Sequence, residues 1–441
     1  MMPQVPYWSA RLPPAPPPTT APLPARTDVV IIGGGIVGVA AAHRLAGRGL
    51  AVLLLEKQAI AGEQSGRNWG FVRQQGRAPA ELPLMVAANR LWCRMSAELG
   101  VDIEWVQGGN LALAEGEAAA ARYREWAAVG QQFGLGTRIL TAAQVAEALP
   151  GVRTRATLGL LTPSDGHANP LKATLAIAGA AAAAGARVVT DCAATAITTA
   201  GGRVIGVETE RGPVHCQTVV CAAGRWSRRL LGTAGVDLPQ NTVRETVLAT
   251  EPVPGLTTVA VWGPDLAFRQ MPSGALVISG EAADMAITPQ SLQHLRLFFP
   301  TFWHNRRSFH LQLGRAALAG LDPRARRDWR PGEPEPNPRV VATLTDRFAQ
   351  WFPQRPRPQV AQAWAGVIDG TPDLLPVVQA LDAPRGLIVA TGLSGHGFAL
   401  GPILGEVVAD LATAGSTPFD LRPLRLSRFA KGDYERAKSI L

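Results

Sequence analysis

Three glycines and an acid carry the first chemistry legible in this chain. Gly33-x-Gly35-x-x-Gly38 follows a short apolar run, Asp28–Ile32, and opens an apolar helical stretch, Val39–Ala46. The first glycine permits a tight turn, the second lets the backbone approach a pyrophosphate, and the third lets the helix pack on the strand. A helix N-terminus placed there offers free N–H groups and a positive dipole to a phosphate. A second strand, Ala51–Leu55, ends at Glu56, eighteen positions after Gly38, with Lys57 beside it. A carboxylate at that place takes ribose hydroxyls. The set reads as a dinucleotide cradle in a β–turn–α–β unit. The acid disfavours a 2′-phosphate, which argues against NADP and leaves FAD and NAD open.

Composition bounds the rest. The 441 residues, 47% hydrophobic, suffice for one large α/β unit or two interlocked domains. The net charge of +9 comes almost wholly from arginine, since the only lysines are Lys57, Lys172, Lys431 and Lys438. The basic residues are scattered, with small clusters at Arg324–Arg330 and Arg355–Arg357, rather than gathered in a stripe with interleaved aromatics. No nucleic-acid partner is expected. Cys93, Cys192, Cys216 and Cys221 form no metal-binding spacing. They read as buried thiols in a reducing compartment, so a cytoplasmic location and no metal are expected. No apolar run is long enough to span a membrane. The N-terminus lacks signal-peptide regions, and the Pro-rich stretch Arg11–Ala25 reads as a polyproline-like or disordered tail.

Further elements follow from periodicity. Helices are expected over Leu82–Glu98, Glu117–Phe133, Leu171–Ala186 and Ile403–Ala412, and a strand pair over Ile103–Ala114 around Gly108–Gly109. Asp165–Pro170 reads as a turn, Arg187–Val189 as a strand, Gly201–Gly202 as a hairpin turn, and Thr218–Ala222 and Gly386–Ala390 as buried strands. Thr246–Ile287 alternates apolar and polar residues, as an antiparallel sheet does. Pro323–Pro338 reads as a surface loop. Nucleotide-fold pieces thus occur early, in the middle and late, which implies two interleaved domains.

Four segments carry a family resemblance: Ser65-Gly66-Arg67-Asn68-Trp69-Gly70-Phe71-Val72-Arg73, Asp165-Gly166, Ala222-Ala223-Gly224-Arg225-Trp226-Ser227 and Ala390-Thr391-Gly392-Leu393-Ser394-Gly395-His396-Gly397-Phe398. Together, and in this order, they resemble the D-amino-acid oxidase superfamily of FAD enzymes, over roughly Asp28–Ala414. The implied architecture is α/β and α+β: a Rossmann-type FAD-binding domain (27–80, 155–230 and 360–441) interleaved with an antiparallel-sheet substrate domain (81–154 and 231–359), after a Pro-rich tail (1–26). The resemblance implies that Ser65, Arg67, Asn68, Trp69 and Gly70 run under the isoalloxazine. It places Ala194 at the adenine half and Ala223, Gly224 and Trp226 on the nucleotide half. Gly392, Gly395, His396, Gly397 and Phe398 would approach the flavin, where the dipole of the following helix favours its reduced anion.

The implied function is oxidation of a carbon–nitrogen bond in an amine or amino acid, secondary or D-amino acids foremost, by hydride transfer to the flavin. Arg73 aligns with an arginine that binds the substrate carboxylate in monomeric sarcosine oxidase, and His396 is a candidate for tuning flavin or substrate protonation. Two departures stand out. Ala399 replaces a second carboxylate-binding group, a lysine. No cysteine stands shortly before Thr371-Pro372-Asp373, where sarcosine oxidase tethers its flavin, so the FAD is expected to be without that thioether and non-covalent. His167, in the Asp165–Pro170 turn, is a conceivable tether but reads more naturally as a solvated or helix-capping histidine. From Ala173 to Ala430 there is no lysine to promote oxygen chemistry unless His396 or Arg269 substitutes, which leans toward a dehydrogenase. The electron acceptor stays open among oxygen, a quinone and a protein. Trp69, Phe71, Trp262, Phe268 and Trp364 are candidates for an apolar pocket. The alternatives are a flavin subunit of a multi-chain dehydrogenase and an NAD-dependent dehydrogenase.

Overall fold

The computed structural model describes residues 12–16, 21–253, 255–280, 283–286, 291, 293–306, 309–312, 329–330 and 332–435. Its first layer is a six-stranded sheet in the order Val377–Ala380, Leu387–Thr391, Thr218–Cys221, Val29–Ile32, Val52–Leu55, Arg187–Val189. The strands are parallel except Val377–Ala380, which runs antiparallel to Leu387–Thr391. Val29–Ile32 and Val52–Leu55 are buried on both faces, which is why they read as continuous apolar runs rather than alternating ones.

Helices Ile36–Gly47, Leu82–Leu99, Pro170–Ala183 and Gly397–Thr413 share one apolar core with one face of this sheet. The opposite face packs on a three-stranded sheet, Ala194–Ala200, Arg203–Thr209 and Val214–His215. The larger sheet has ten strands and is mostly antiparallel. Its spine is the pairing of Asn241–Thr250 with Val360–Gly370, which runs from Asn241↔Gly370 to Thr250↔Val360. Leu158–Thr162 and Asn110–Ala114 also belong to this sheet. Helix Pro338–Trp351 covers it through Leu344, Phe348 and Trp351. Among the described residues no helix is long and apolar enough to cross a membrane.

Several expectations change. Only Asn110–Ala114 of the Ile103–Ala114 pair becomes a strand, and Val106 keeps a single bridge to His167. The last helix begins at Gly397 rather than Ile403 and carries Pro402 inside it. Proline forfeits one helical bond there, but burial of Phe398, Leu400 and Ile403 against the core holds the turn. His167 is neither solvated nor a cap. It lies fully buried in a two-residue strand opposite Phe71, with Nδ1 3.3 Å from the Arg269 guanidinium. Cys93 is exposed, because it sits on the outer side of helix Leu82–Leu99, while the other three thiols are buried. Part of the Pro-rich stretch is docked: Leu12 and Leu23 pack on the two cores, and Arg187 and Arg211 donate to Ala21 O. Residues 323–328 and 331 of the Pro323–Pro338 loop lie outside the described residues, and Pro338 itself starts a helix.

The tightest approach in the nucleotide half is at Gly38, where a Cβ would stand 1.9 Å from Gly33 O. Gly47, at the far end of the same helix, has open space around it. Gly38→Ala should therefore destabilise the protein by about 3 kcal/mol, and Gly47→Ala should be neutral or stabilise it by up to about 1 kcal/mol. Chemical denaturation of the two variants checks the contrast, and equal midpoints would contradict it.

Candidate active site

One long cavity runs from the glycine turn to the larger sheet, with about 1680 Å³ of empty volume including its open mouth. At one end lie Gly33, Gly35 and Val37. Ile36 N–H is taken by Ser65 Oγ at 2.9 Å and Gly34 N–H by Glu56 Oε2 at 2.7 Å, while the Gly35 and Val37 N–H groups donate to no group among the described residues. Such a bare pair beside a helix N-terminus is a phosphate cradle. Glu56 Oε1 also accepts from Gln58 N at 2.9 Å. Burial pushes the Glu56 carboxyl above its usual range, opposed by Lys57 and these two N–H groups.

The same end is tied together by Glu63. It accepts from Arg225 Nε at 2.8 Å and Trp226 Nε1 at 3.0 Å and pairs with Lys57. Burial opposes its ionisation, yet Arg225 and Lys57 hold its carboxyl down at about 2. Ala193, Ala194, Ala223 and Gly224 complete this wall, and Trp329 lies across it, 5.7 Å from Trp226 and 3.5 Å from the Arg229 guanidinium.

The middle of the cavity is formed by the segment after Gly62. Gln64–Arg67 is a single helical turn, after which Asn68 Oδ1 accepts from Gly70 N at 2.8 Å. Arg67 lines the cavity but spends its guanidinium on Gly62 O, Ala365 O and Glu333. Gln64 Nε2 donates to Asp369 Oδ1 at 2.6 Å, and Gln240 Nε2 to Asp369 Oδ2 at 2.6 Å, so this acid pins the turn to the large sheet.

The far end is an aromatic cage with cations. Trp69 stacks on Trp262 at 4.9 Å, and Phe71 stands edge-on to both. The Arg73 guanidinium lies 4.1 Å over the Trp262 ring. His396 stands at the N-cap position of helix Gly397–Thr413 without a side-chain capping bond, and its Nδ1 is 2.9 Å from Glu81 Oε1. Burial, then the Arg77 charge, lowers the His396 pKa against the pull of Glu81. The ring is then neutral near pH 7, donates Nδ1–H to Glu81 and leaves Nε2 as an acceptor.

Of the expected site residues, Gly33, Gly35, Glu56, Lys57, Ser65, Arg67, Asn68, Trp69, Arg73, Ala194, Ala223, Gly224, Trp226, Gly395, His396, Gly397 and Phe398 line this one cavity. Gly38, Gly70 and Gly392 do not; each is glycine for a close approach, to Gly33 O, Ala168 O and the Thr371 side chain respectively. Phe268 is core, against Phe348, Trp351 and Phe352, and Trp364 donates Nε1 to Arg67 O from behind the wall. Arg269 is fully buried behind Trp69 and Gly70, outside the cavity lining, as is His167. Glu63, Arg77, Glu245, Trp329 and Asp369 line the cavity without having been singled out. They come from segments with no motif of their own, so only the fold reveals them.

The comparisons bear on the family and the fold. The chain is 27% identical to glycine oxidase of Geobacillus kaustophilus, across 91% of this chain and 97% of that one. It is 30% identical to human mitochondrial sarcosine dehydrogenase over 246 residues, 53% of this chain but only 26% of that protein's length. The chain thus spans about a quarter of the first curated relatives it matches. Among solved structures, L-amino acid deaminase from Proteus myxofaciens in complex with anthranilate superposes with a TM-score of 0.87 at 29% identity, covering 94% of this chain and 96% of that one. The family model for FAD dependent oxidoreductases matches residues 28–411, so the chain belongs to that FAD-dependent oxidoreductase family.

Proposed function

We propose that this protein oxidises the carbon–nitrogen bond of an amine or amino acid, giving an imine that water hydrolyses. The observation that carries the reading is the single cavity joining a phosphate-cradling turn to an aromatic cage that holds Arg73 and His396. Relatives named glycine oxidase, sarcosine dehydrogenase and L-amino acid deaminase support the same class.

The residues present fit FAD. Bare N–H groups at Gly35 and Val37 suit its pyrophosphate, Glu56 its ribose hydroxyls, and the first turn of helix Gly397–Thr413 the electron-rich edge of its ring. Bound there, FAD supplies the two-electron acceptor for a hydride from the substrate α-carbon. The protein does the positioning. Arg73, stacked on Trp262, takes a carboxylate through two parallel N–H groups. Neutral His396 accepts an amine N–H at Nε2, while the Arg73 and Arg77 charges disfavour an ammonium and so keep the amine uncharged. Trp69, Phe71 and Trp262 exclude water from the reacting carbon. Lys172 is committed to Glu104 at 2.6 Å and Lys57 to Glu63, so neither serves the aromatic end.

The purified protein should be yellow, release its flavin to the supernatant on acid precipitation, and bleach when one member of an anaerobic amine panel is added. A colourless protein that cannot be reconstituted with FAD would sink the reading. Arg73→Gln should lower kcat/KM for carboxylate-bearing substrates about 10- to 100-fold, the worth of a charge-assisted bond. Glu56→Gln, which puts an NH₂ where a carboxylate oxygen meets an N–H, should raise the FAD dissociation constant about tenfold in a flavin-fluorescence titration while circular dichroism stays unchanged.

A further inference from the structure

The turn after Arg73 carries a second guanidinium. Gln74–Arg77 closes with Arg77 N–H on Gln74 O at 3.2 Å, with Gly76 at φ +77°. Asp165 holds this turn from below, accepting from Gln74 N at 2.8 Å and Gln75 N at 3.1 Å. The Gln75 side chain donates to Asn110 O, Leu160 O and Thr162 Oγ1, and Trp126 Nε1 donates to Arg77 O at 3.0 Å. The backbone that presents Arg77 is therefore locked onto the large sheet.

Arg77 is 7% exposed and lines the cavity. Among the described residues its buried Nε has no partner and its guanidinium makes no ion pair or hydrogen bond, though the Glu81 and Asp165 charges act on it. The nearby acids are engaged elsewhere: Asp165 by the turn, and Glu81 Oε1 by His396. Glu81 Oε2 is bare, yet no ion pair joins it to Arg77. Both the Arg77 and Arg73 charges act on the His396 ring, so the three groups share one end of the cavity. Burying a guanidinium without giving its N–H groups acceptors is unfavourable, and the Glu81 and Asp165 charges offset this only in part. A ligand anion removes that cost. Ala399, where the resemblance would place a second cation, is 2% exposed, and its carbonyl accepts from Trp92 Nε1 at 2.9 Å. It is core and does not line the cavity.

We propose that Arg77 is a carboxylate-binding residue of the substrate cavity, supplying from the turn after Arg73 the second cation that helix Gly397–Thr413 lacks, and so selecting amino acids over simple amines. This rests on reading the cavity as an amine-oxidation site. The substrate carboxylate completes the unpartnered guanidinium, and a neutral ligand leaves it bare.

The test is an equilibrium titration of the flavin-loaded protein with anthranilate and with its neutral isostere anthranilamide, read by flavin absorbance and by calorimetry. The wild type should prefer anthranilate. Arg77→Gln should raise the anthranilate dissociation constant about 10- to 100-fold, leave that of anthranilamide within about twofold, and leave FAD affinity unchanged. Arg77→Lys should recover part of the loss, and it serves alone should Arg77→Gln fail to fold, with anthranilate about 3- to 10-fold weaker. Unchanged anthranilate affinity in the variants, equal loss of both ligands, or a wild type without preference overturns the proposal. If no amine bleaches the flavin but anthranilate binding depends on Arg77, the oxidation reading falls and the carboxylate site stands. If an amino acid bleaches Arg77→Gln with an unchanged KM, only the carboxylate role falls.

Discussion

The contact between the first helix and the turn that begins it governs everything downstream. Gly38 lies against Gly33 O, and Gly33, at φ +116°, lies against Ala222 O, with a Cβ there only 2.4 Å from that oxygen. These approaches bring helix Ile36–Gly47 onto the central strand and bring the strand end Thr218–Cys221 beside the turn. Glu56 then reaches Gly34 N, and Ser65 reaches Ile36 N. Gly405 on helix Gly397–Thr413 meets Ala40 in the same way, so the last helix is aimed by the first. The two ends of the cavity are thus set by backbone packing before any polar side chain acts.

Polar side chains then join the halves. Asp369 receives Gln64 and Gln240, Asp165 receives the turn after Arg73, and Glu81 receives His396. Each is a buried acid whose partners come from distant parts of the chain. Burial pushes Asp165 up to about 6 and raises Asp369, against the N–H groups that favour their charge. Such acids tolerate burial only with those donors in place, which makes them sensitive to any slip between the sheets. The aromatic cage and its arginines inherit their geometry from this bracing.

How much was legible in the sequence follows from the range of the interactions. The glycine turn, Glu56 and the strand–helix pattern around them are local, with short spacings that declare their geometry. The Ser65–Arg73 and Ala390–Phe398 segments gain meaning only as a set, since each alone is a glycine-rich connection. Glu63 and Asp369 carried no signal because their partners lie up to hundreds of residues away, and Arg77 carried none because the cavity it lines is assembled only by the fold. His167 was misread for the same reason: a histidine in a Gly- and Asn-rich turn looks solvated, and the antiparallel pairing with Phe71 that buries it is not local. The helix at Gly397 was read short because Pro402 marks a boundary in local statistics, while core burial overrides it.

The choice of cation at the aromatic end also has a physical logic. A lysine in this desolvated setting would shed its proton readily, whereas a guanidinium keeps its charge. Burial lowers the Arg77 pKa, opposed by the Glu81 and Asp165 charges, and a guanidinium starts high enough to keep its charge near pH 7. Arg73 adds a flat face for Trp262. The cage therefore pairs permanent positive charge with a neutral histidine. A carboxylate is attracted there without the site also protonating the amine, and the free base is the form that can give up a hydride. Had the cations been titratable, carboxylate binding would weaken as pH rises, in the range where the reactive amine becomes abundant. Arginine separates the two requirements.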